Sequence, residues 1–191
     1  MKAIGVVGGG QLAQMLVQAA IQKDVEIFVQ TPSRDDPAAK GATDIVLSGP
    51  NDFEGIKQLA SRCDCVTFEN EWVDIEQLTL LEADGANFLP PLKALQPLLS
   101  KISQRQLLER LGIPGPKWLQ ASCPQLTNSK LPQGWEFPLM AKIGSGGYDG
   151  KGTRVIRNFD ELAQFFAEVN RTEWLIESWV TYEKELALVA S

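Results

Sequence analysis

Lys142-Ile143-Gly144-Ser145-Gly146-Gly147-Tyr148-Asp149-Gly150-Lys151-Gly152 joins a short apolar run, residues 137–141, to a second strand-like segment, residues 153–156. The pattern predicts a β-hairpin in which Lys142 ends the first strand and the glycines form the tip. Such a tip exposes many backbone N–H groups and can wrap closely around phosphate oxygens, while the two lysines supply positive charge. It is not a Walker A motif, whose Gly-Lys-Ser/Thr sequence opens a helix. A glycine-rich turn without a ligand is the alternative interpretation.

The composition is that of an ordinary globular protein. The 191 residues suffice for one or two domains, and 44% of them are hydrophobic and 22% charged. The net charge of −6 argues against non-specific nucleic-acid binding, which usually requires a basic patch. No apolar run approaches the ~20 residues of a membrane span, and no signal-peptide pattern follows Met1. We therefore expect a cytoplasmic protein that binds neither nucleic acid nor a membrane.

The reactive side chains limit the possible chemistry. The sequence contains no histidine, which removes Ser-His and Cys-His catalysis and the commonest zinc ligand. Its three cysteines, Cys63, Cys65 and Cys123, lack the spacing of a disulfide framework, so buried free thiols are favoured over a metal site. Any catalysis must therefore use carboxylates, lysine, arginine and the backbone.

The first 90 residues alternate short apolar strands with amphipathic helices, which indicates a Rossmann-like α/β unit. The first helix is expected from Gln11 to about Gln22. Asn51 and Asp74 are predicted to cap the next two helices. The expected strands cover residues 3–7, 25–29, 45–47, 65–68 and 87–89.

A Gly-x-Gly-x-x-Ala turn, residues 8–13, separates the first strand from the first helix. Such a turn presents N–H groups at a helix N-terminus, which suits an anion. A dinucleotide site would also place an acidic residue at the end of the second strand, but Asp35 and Asp36 come only after Pro32. NAD or FAD binding is thus disfavoured. Binding of another phosphate or a polar substrate, and a turn needed only for strand–helix packing, both stay open.

Glu69 and Glu71 follow the strand at residues 65–68. Ligands of open parallel sheets bind at the carboxyl ends of the strands, where these two carboxylates are expected. Spaced by two on an extended chain, they would point the same way. A pair that faces a substrate and a pair of solvated loop residues are equally compatible with this spacing.

The second half reads differently. A proline-rich segment, residues 90–97, marks a domain boundary. Ser100 is predicted to cap a helix that ends before Gly112, and Asn158 to cap another after the hairpin. Together with the hairpin, three further strands would form a small antiparallel sheet. These strands are expected at residues 117–119, 173–177 and 183–190.

The order of elements in the second half resembles the ATP-grasp enzymes, and several motifs resemble, within them, the 5-(carboxyamino)imidazole ribonucleotide synthase family of purine biosynthesis. The most specific motif is residues 146–152, because other ATP-grasp families carry different residues at Tyr148 and Asp149. Ala13 departs from the family, which usually has glycine there. The matching segments run along nearly the whole chain: residues 8–12, 67–71, 101–105, 112–114, 142, 146–152 and 183–186.

The resemblance implies an α/β fold with two parts. A Rossmann-like pre-ATP-grasp domain would cover residues 1–96, and a linker helix with the N-terminal, or lid, part of an ATP-grasp domain would cover residues 97–191. Lys101 and Lys142 would contact the ATP phosphates, the glycine-rich loop would cover them, and Glu185 would bind the ribose. The implied ATP-binding residues are Lys101, Lys142, Gly146, Gly147, Tyr148, Asp149, Gly150, Lys151, Gly152, Glu177, Ser178, Trp179, Val180 and Glu185.

The resemblance also implies a reaction. Bicarbonate would attack the γ-phosphate of ATP to give carboxyphosphate, and the amine of 5-aminoimidazole ribonucleotide would then capture the carboxyl group. A closing lid would protect carboxyphosphate from water. Asp149 and Lys151 are the implied catalytic residues. The implied contacts of the ribonucleotide are Gly10, Gln11, Leu12, Glu69, Glu71, Tyr148, Asp149 and Lys151.

The family continues for about as many residues again, so this chain resembles its N-terminal half. No metal ligand is expected within the chain, and the residues that hold Mg²⁺ are expected beyond residue 191. The implied partners are ATP, bicarbonate, aminoimidazole ribonucleotide and a second copy in a homodimer. The alternative is a stand-alone nucleotide-binding or interaction module without catalysis.

Overall fold

The computed structural model describes residues 3–147 and 152–188. The chain divides into two compact units, residues 1–99 and residues 100–191. Within the described ranges, no helix is both long enough and apolar enough to cross a lipid bilayer.

The first unit is built on a parallel four-stranded sheet. Its strands are β1 (Ala3–Val7), β2 (Glu26–Thr31), β3 (Asp44–Leu47) and β4 (Cys65–Phe68), in the spatial order β3-β2-β1-β4. Its helices are α1 (Gln11–Gln22), α2 (Phe53–Ala60), α3 (Ile75–Ala83) and the short α4 (Leu92–Leu95), which a 3₁₀ turn, Gln96–Leu98, extends. The α/β unit predicted for the first half is confirmed.

Alternation along β1 explains how both faces of this sheet are covered. Val6 and Val7 point to opposite faces, and both are buried. Val6 packs with Val17 and other apolar residues of α1, whereas Val7 packs with Leu59 of α2 and Leu78 of α3. A parallel sheet must be buried on both faces, which is why its strands read as continuous apolar runs.

The ends of these elements agree in part with the sequence patterns. The Asp74 side chain caps α3 as predicted and accepts a hydrogen bond from the N–H of Gln77 at 3.2 Å. The predicted cap of α2 was wrong by one residue, because Asp52, not Asn51, accepts from the N–H of Gly55 at 3.0 Å. The expected strand at residues 87–89 is reduced to a single parallel bridge between Val66 and Phe88.

The second unit is built on an antiparallel sheet with the order β5-β8-β6-β7. Its strands are β5 (Trp118–Gln120), β6 (Leu139–Ile143), β7 (Thr153–Ile156) and β8 (Trp174–Ser178). Its helices are α5 (Lys101–Arg110) and α6 (Phe159–Glu168), with a 3₁₀ turn at Arg171–Glu173. The predicted hairpin is β6 and β7, and the predicted caps Ser100 and Asn158 both accept hydrogen bonds from their helices.

The strand register separates the core face of this sheet from the other face. Leu139 and Ala141 of β6 are buried with Phe165 of α6 in the hydrophobic core. Because side chains alternate along a strand, Met140 and Lys142 point to the opposite face. Met140 pairs directly with Glu177 of β8, so the side chains of Met140, Lys142 and Glu177 share this second face.

The expected strand at residues 183–190 is not present in its described part, residues 183–188. Leu186 and Leu188 are 92% and 91% exposed there. An extended segment becomes a strand only when a neighbouring strand pairs with its backbone groups, and none does so within the described residues.

Candidate functional site

The hairpin tip shows why glycine is required at two of its positions. Gly146 and Gly152 have φ angles of +77° and +88°, which residues with a Cβ rarely adopt. A Cβ at Gly152 would also lie only 2.5 Å from Cγ2 of Ile143. The predicted site residues Tyr148, Asp149, Gly150 and Lys151, which include both predicted catalytic residues, lie outside the described residues.

The first helix of the second unit is joined to the base of this loop. The backbone N–H of Lys101 donates to the carbonyl of Gly144 at 2.7 Å, and its ammonium group donates to the carbonyl of Gly147 at 3.5 Å. Ser100 caps α5 through the N–H of Ile102. These contacts bring together two of the predicted phosphate-site residues, Lys101 and Gly147.

A buried carboxylate joins two cations on the face of the sheet opposite the core. Glu177 is only 4% exposed, and its Oε2 lies 2.6 Å from Nζ of Lys142. Its Oε1 accepts a hydrogen bond from Nε of Arg105 at 2.5 Å and also forms an ion pair with Nη2 of that residue. Lys142 and Glu177 are diagonal neighbours on adjacent strands, and Arg105 reaches them from α5.

A cavity of about 370 Å³ lies on one side of this bridge. Its walls include the aromatic Trp179 and the aliphatic Val180, and it also contains a second carboxylate, Glu185. Ligand pockets typically combine apolar walls with a few polar groups, in volumes of about 300–1,000 Å³. Six predicted ATP-site residues line it together with four that sequence reasoning missed: Lys142, Glu177, Ser178, Trp179, Val180 and Glu185, with Arg105, Pro116, Met140 and Tyr182.

A second cavity of about 440 Å³ shares the bridge. Three cations line it, Lys101, Arg105 and Lys142, so it suits a ligand group with several negative charges. Its remaining lining residues are Gln104, Leu108, Thr153 and Glu177. Arg105 was missed by sequence reasoning, although its position four residues after Lys101 places both on one face of a helix.

The glycine turn of the first unit holds a carboxylate of the chain itself. Oε2 of Glu69 accepts a hydrogen bond from the N–H of Gly10 at 2.8 Å. Oε1 accepts from the N–H groups of Leu12 at 3.2 Å and Ala13 at 3.5 Å. Gly10 has no side chain with which to cap α1, so Glu69 satisfies the exposed N-terminal N–H groups and complements the helix dipole.

Each glycine of this turn has a steric reason. Gly8 has a φ of +114°, and a Cβ there or at Gly10 would overlap the Glu69 side chain. A Cβ at Gly9 would overlap Thr31, and the carbonyl of Gly9 accepts a hydrogen bond from the N–H of Ala38 at 3.0 Å. The chain thus fills the space and uses N–H groups that a dinucleotide pyrophosphate would need.

The remaining substrate-site predictions fall on exposed residues. Gln11 and Glu71 are exposed, and Leu12 is 59% exposed. The expectation that Glu69 and Glu71 point the same way assumed an extended chain, but β4 ends at Phe68 and the backbone bends after it. Glu69 therefore turns to the helix N-terminus, while Glu71 is solvent-exposed.

The described residues offer no metal centre. Within residues 3–147 and 152–188, no three acidic or cysteine side chains lie close enough together to hold a metal ion. Cys63, Cys65 and Cys123 are free thiols.

Comparison with known proteins identifies the family. The family model of the ribonucleotide synthetase preATP-grasp domain matches residues 1–98. The chain belongs to this family. The model of the ATP-grasp domain matches residues 106–191, so a Rossmann-like preATP-grasp domain precedes the first part of an ATP-grasp domain.

The most informative relatives of this ribonucleotide synthetase family member carry one name. The chain is 44% identical over 188 residues to the N5-carboxyaminoimidazole ribonucleotide synthase of Synechococcus elongatus. This match covers 98% of this chain and 47% of the relative. It is 42% identical over 187 residues to the enzyme of the same name from Synechocystis sp., covering 97% of this chain and 46% of the relative. The chain thus spans about half the length of the curated relatives it matches.

Solved structures of related proteins agree. An ADP complex of N5-carboxyaminoimidazole ribonucleotide synthetase is 30% identical with a TM-score of 0.84, covering 95% of this chain and 48% of that one. The ATP complex of the synthase from Aspergillus clavatus is 26% identical with a TM-score of 0.82 and covers the same shares of the two chains.

Proposed function

We propose that this chain forms part of an enzyme that carboxylates 5-aminoimidazole ribonucleotide with bicarbonate, at the expense of ATP, in purine biosynthesis. The observation that most directly supports this proposal is the pair of cavities that meet at Glu177. One cavity has aromatic and apolar walls, and the other is lined by three cations. This arrangement matches the two ends of a nucleotide, and it occurs in a chain 44% identical to a synthase of that name. A homodimer in the cytoplasm belongs to the same proposal.

ATP fits the described residues. The adenine would lie against Trp179 and Val180, where the backbone of residues 178–180 can form hydrogen bonds with the base, and Glu185 can accept the ribose hydroxyl protons. The phosphates would lie beside Lys101, Lys142 and the N–H groups of the glycine-rich loop, Gly146 to Gly152. These cations offset the charge on a transferred phosphoryl group.

Mg²⁺ accompanies ATP in phosphoryl transfer and supplies charge neutralisation there. The described residues do not form a site for it, so we propose no metal contact by them. The ligands of the metal would lie outside residues 3–147 and 152–188.

The first unit would contribute to the ribonucleotide site through Gly10, Gln11, Leu12, Glu69 and Glu71. Tyr148, Asp149 and Lys151 would meet the same substrate from the loop. Asp149 and Lys151 are proposed as the catalytic residues, with Lys151 offsetting the negative charge of the phosphoryl group and of the carboxyphosphate that bicarbonate forms. The loop would exclude water, because carboxyphosphate hydrolyses readily.

The test is an assay of ADP release by the product of the whole open reading frame that encodes this chain. ADP release is expected only when ATP, bicarbonate and aminoimidazole ribonucleotide are all present. Lys142→Met is expected to abolish it, whereas Lys130→Met, a change at an exposed lysine that lines neither cavity, serves as the matched control. Nucleotide binding without any turnover would instead favour a stand-alone nucleotide-binding module, and absence of nucleotide binding would contradict both.

A further inference from the structure

The Glu177 carboxylate has a different cation on each oxygen, and the two cations are held differently. Nζ of Lys142 contacts Oε2, and it lies at the end of a flexible four-carbon stem. The guanidinium of Arg105 contacts Oε1 through both Nε and Nη2. Its Nη1 lies beside Gly115, where an added Cβ would be 2.7 Å away. Arg105 is therefore confined, and Lys142 is the cation that can move.

The three side chains also differ in their access to water. The Glu177 side chain is 5% exposed, whereas those of Arg105 and Lys142 are 19% and 30% exposed. A carboxylate buried to this extent strongly resists the loss of its last cation, because an uncompensated buried charge is costly. Lys142 can leave Glu177 for a phosphate oxygen only if another cation stays behind.

We propose that Arg105 is a positioning residue for nucleotide binding. It keeps the charge of Glu177 compensated while Lys142 transfers its ammonium group from the Glu177 carboxylate to a phosphate of the nucleotide. Although Arg105 lines the second cavity, Glu177 holds its guanidinium, and Arg105 acts through Glu177 and Lys142. This inference rests on the proposed nucleotide function of the same site.

A double-mutant cycle in the product of the whole open reading frame tests the inference. The variants are Arg105→Gln, Glu177→Gln, their combination, and Arg105→Lys, with Arg110→Gln as a matched control at an exposed arginine of the same helix. The dissociation constant of ADP is measured by calorimetric titration, the KM for ATP and kcat by ADP release, and folding by circular dichroism.

Arg105→Gln is expected to weaken ADP binding about tenfold or more, because Lys142 then becomes the only cation that the described residues place beside the buried Glu177 carboxylate. Arg105→Lys retains a cation but loses the paired guanidinium contacts with Oε1, so its dissociation constant is expected to lie between those of the starting protein and of Arg105→Gln. Adding Glu177→Gln to Arg105→Gln is expected to restore binding to the level of Glu177→Gln alone, since no charge then competes for Lys142. The loss is expected in the KM for ATP and not in kcat.

Provided that the starting protein binds ADP, three results would overturn the inference. They are an unchanged affinity of Arg105→Gln, a double variant as weak as Arg105→Gln, and an equal loss in Arg110→Gln. If Arg105→Gln does not fold, the double variant is compared with Glu177→Gln alone. Equal affinities support the inference, and a tenfold difference contradicts it. Failure of the starting protein to bind ADP contradicts the proposed function itself.

Discussion

Glu69 accepts a hydrogen bond at 2.8 Å from the backbone N–H of Gly10, a residue 59 positions earlier in the chain. The same carboxylate reaches the N–H groups of Leu12 and Ala13, so it caps α1 from the end of β4. A glycine turn that would ordinarily be read as an anion site is therefore filled by an anion of the protein itself. Any substrate anion at this turn must share it with Glu69 or displace its carboxylate.

Replacing Glu69 by alanine is expected to lower the free energy of unfolding by about 1–2 kcal/mol. The change removes a cap from α1 and the charge that complements its dipole. Urea unfolding of the 191-residue chain, followed by circular dichroism, measures the effect. Glu71→Ala is the matched control, because Glu71 is an exposed glutamate two residues away, and it is expected to stay within about 0.5 kcal/mol of the starting protein. Equal losses in both variants would show that the hydrogen bonds of Glu69 add nothing measurable.

Replacing Gly10 by alanine is expected to destabilise the chain by about 1–3 kcal/mol, because the new Cβ would overlap the Glu69 carboxylate. Gly49→Ala is the control, since an added Cβ at Gly49 meets no atom within 4 Å and its φ is not positive. That variant is expected to be neutral or slightly stabilising, because alanine reduces the entropy of the unfolded chain. Thermal or urea unfolding measures the stability of the two variants. A Gly10→Ala protein as stable as Gly49→Ala would contradict the predicted destabilisation.

Most of the fold could be predicted because local patterns determine it. The burial of Val6 and Val7 on opposite faces, and the caps at Asp74 and Asn158, depend only on neighbouring residues. The strand expected at residues 183–190 would also need a neighbouring strand to pair with. The apolar alternation of this segment does not reveal whether such a strand lies alongside. In the described part of that segment the leucines are exposed and no strand forms.

The candidate site could be predicted where a motif marks a residue and not where it depends on packing between elements. Lys142 and Trp179 belong to recognisable segments, and both line the first cavity. The contact of Arg105 with Glu177 depends on which face of the second sheet α5 covers, which no local pattern reveals. The capping of α1 by Glu69 was missed for the same reason, because it joins two distant elements.

The thiol of Cys63 is expected to react slowly with thiol reagents in the folded chain. Burial raises its pKa from 9.0 to about 11, with Arg62 offsetting part of that effect. Only the thiolate reacts, so at pH 8 we expect a rate about 100-fold below that of the unfolded chain. The rate is measured in a Cys65→Ser/Cys123→Ser variant with Ellman's reagent, and denaturant provides the reference.

The raised pKa of Cys63 also makes the stability of the folded chain depend on pH. The folded state binds the Cys63 proton more tightly than the unfolded state, so the contribution to stability is fully present below pH 9 and falls as the pH rises towards about 11. The alkaline loss of stability is expected to be smaller in Cys63→Ser. A reaction rate in the folded chain whose pH midpoint lies near 9 would contradict the burial argument.

Trp179 is expected to stack on the base of a bound nucleotide. It is 44% exposed and lines the cavity that also contains Val180 and Glu185, so a planar ring can reach its face. Stacking on an aromatic side chain contributes about 1–3 kcal/mol per base, which predicts that Trp179→Ala weakens ADP binding roughly 5- to 150-fold. Trp179→Phe should retain most of the affinity but lose the change in tryptophan fluorescence that accompanies binding.

Trp72→Phe is the matched control, because Trp72 is 45% exposed and belongs to the other unit, and it should keep both the affinity and the fluorescence change. Titration of the product of the whole open reading frame with ADP measures both quantities, and a fluorescence change that persists in Trp179→Phe but disappears in Trp72→Phe would place the base elsewhere.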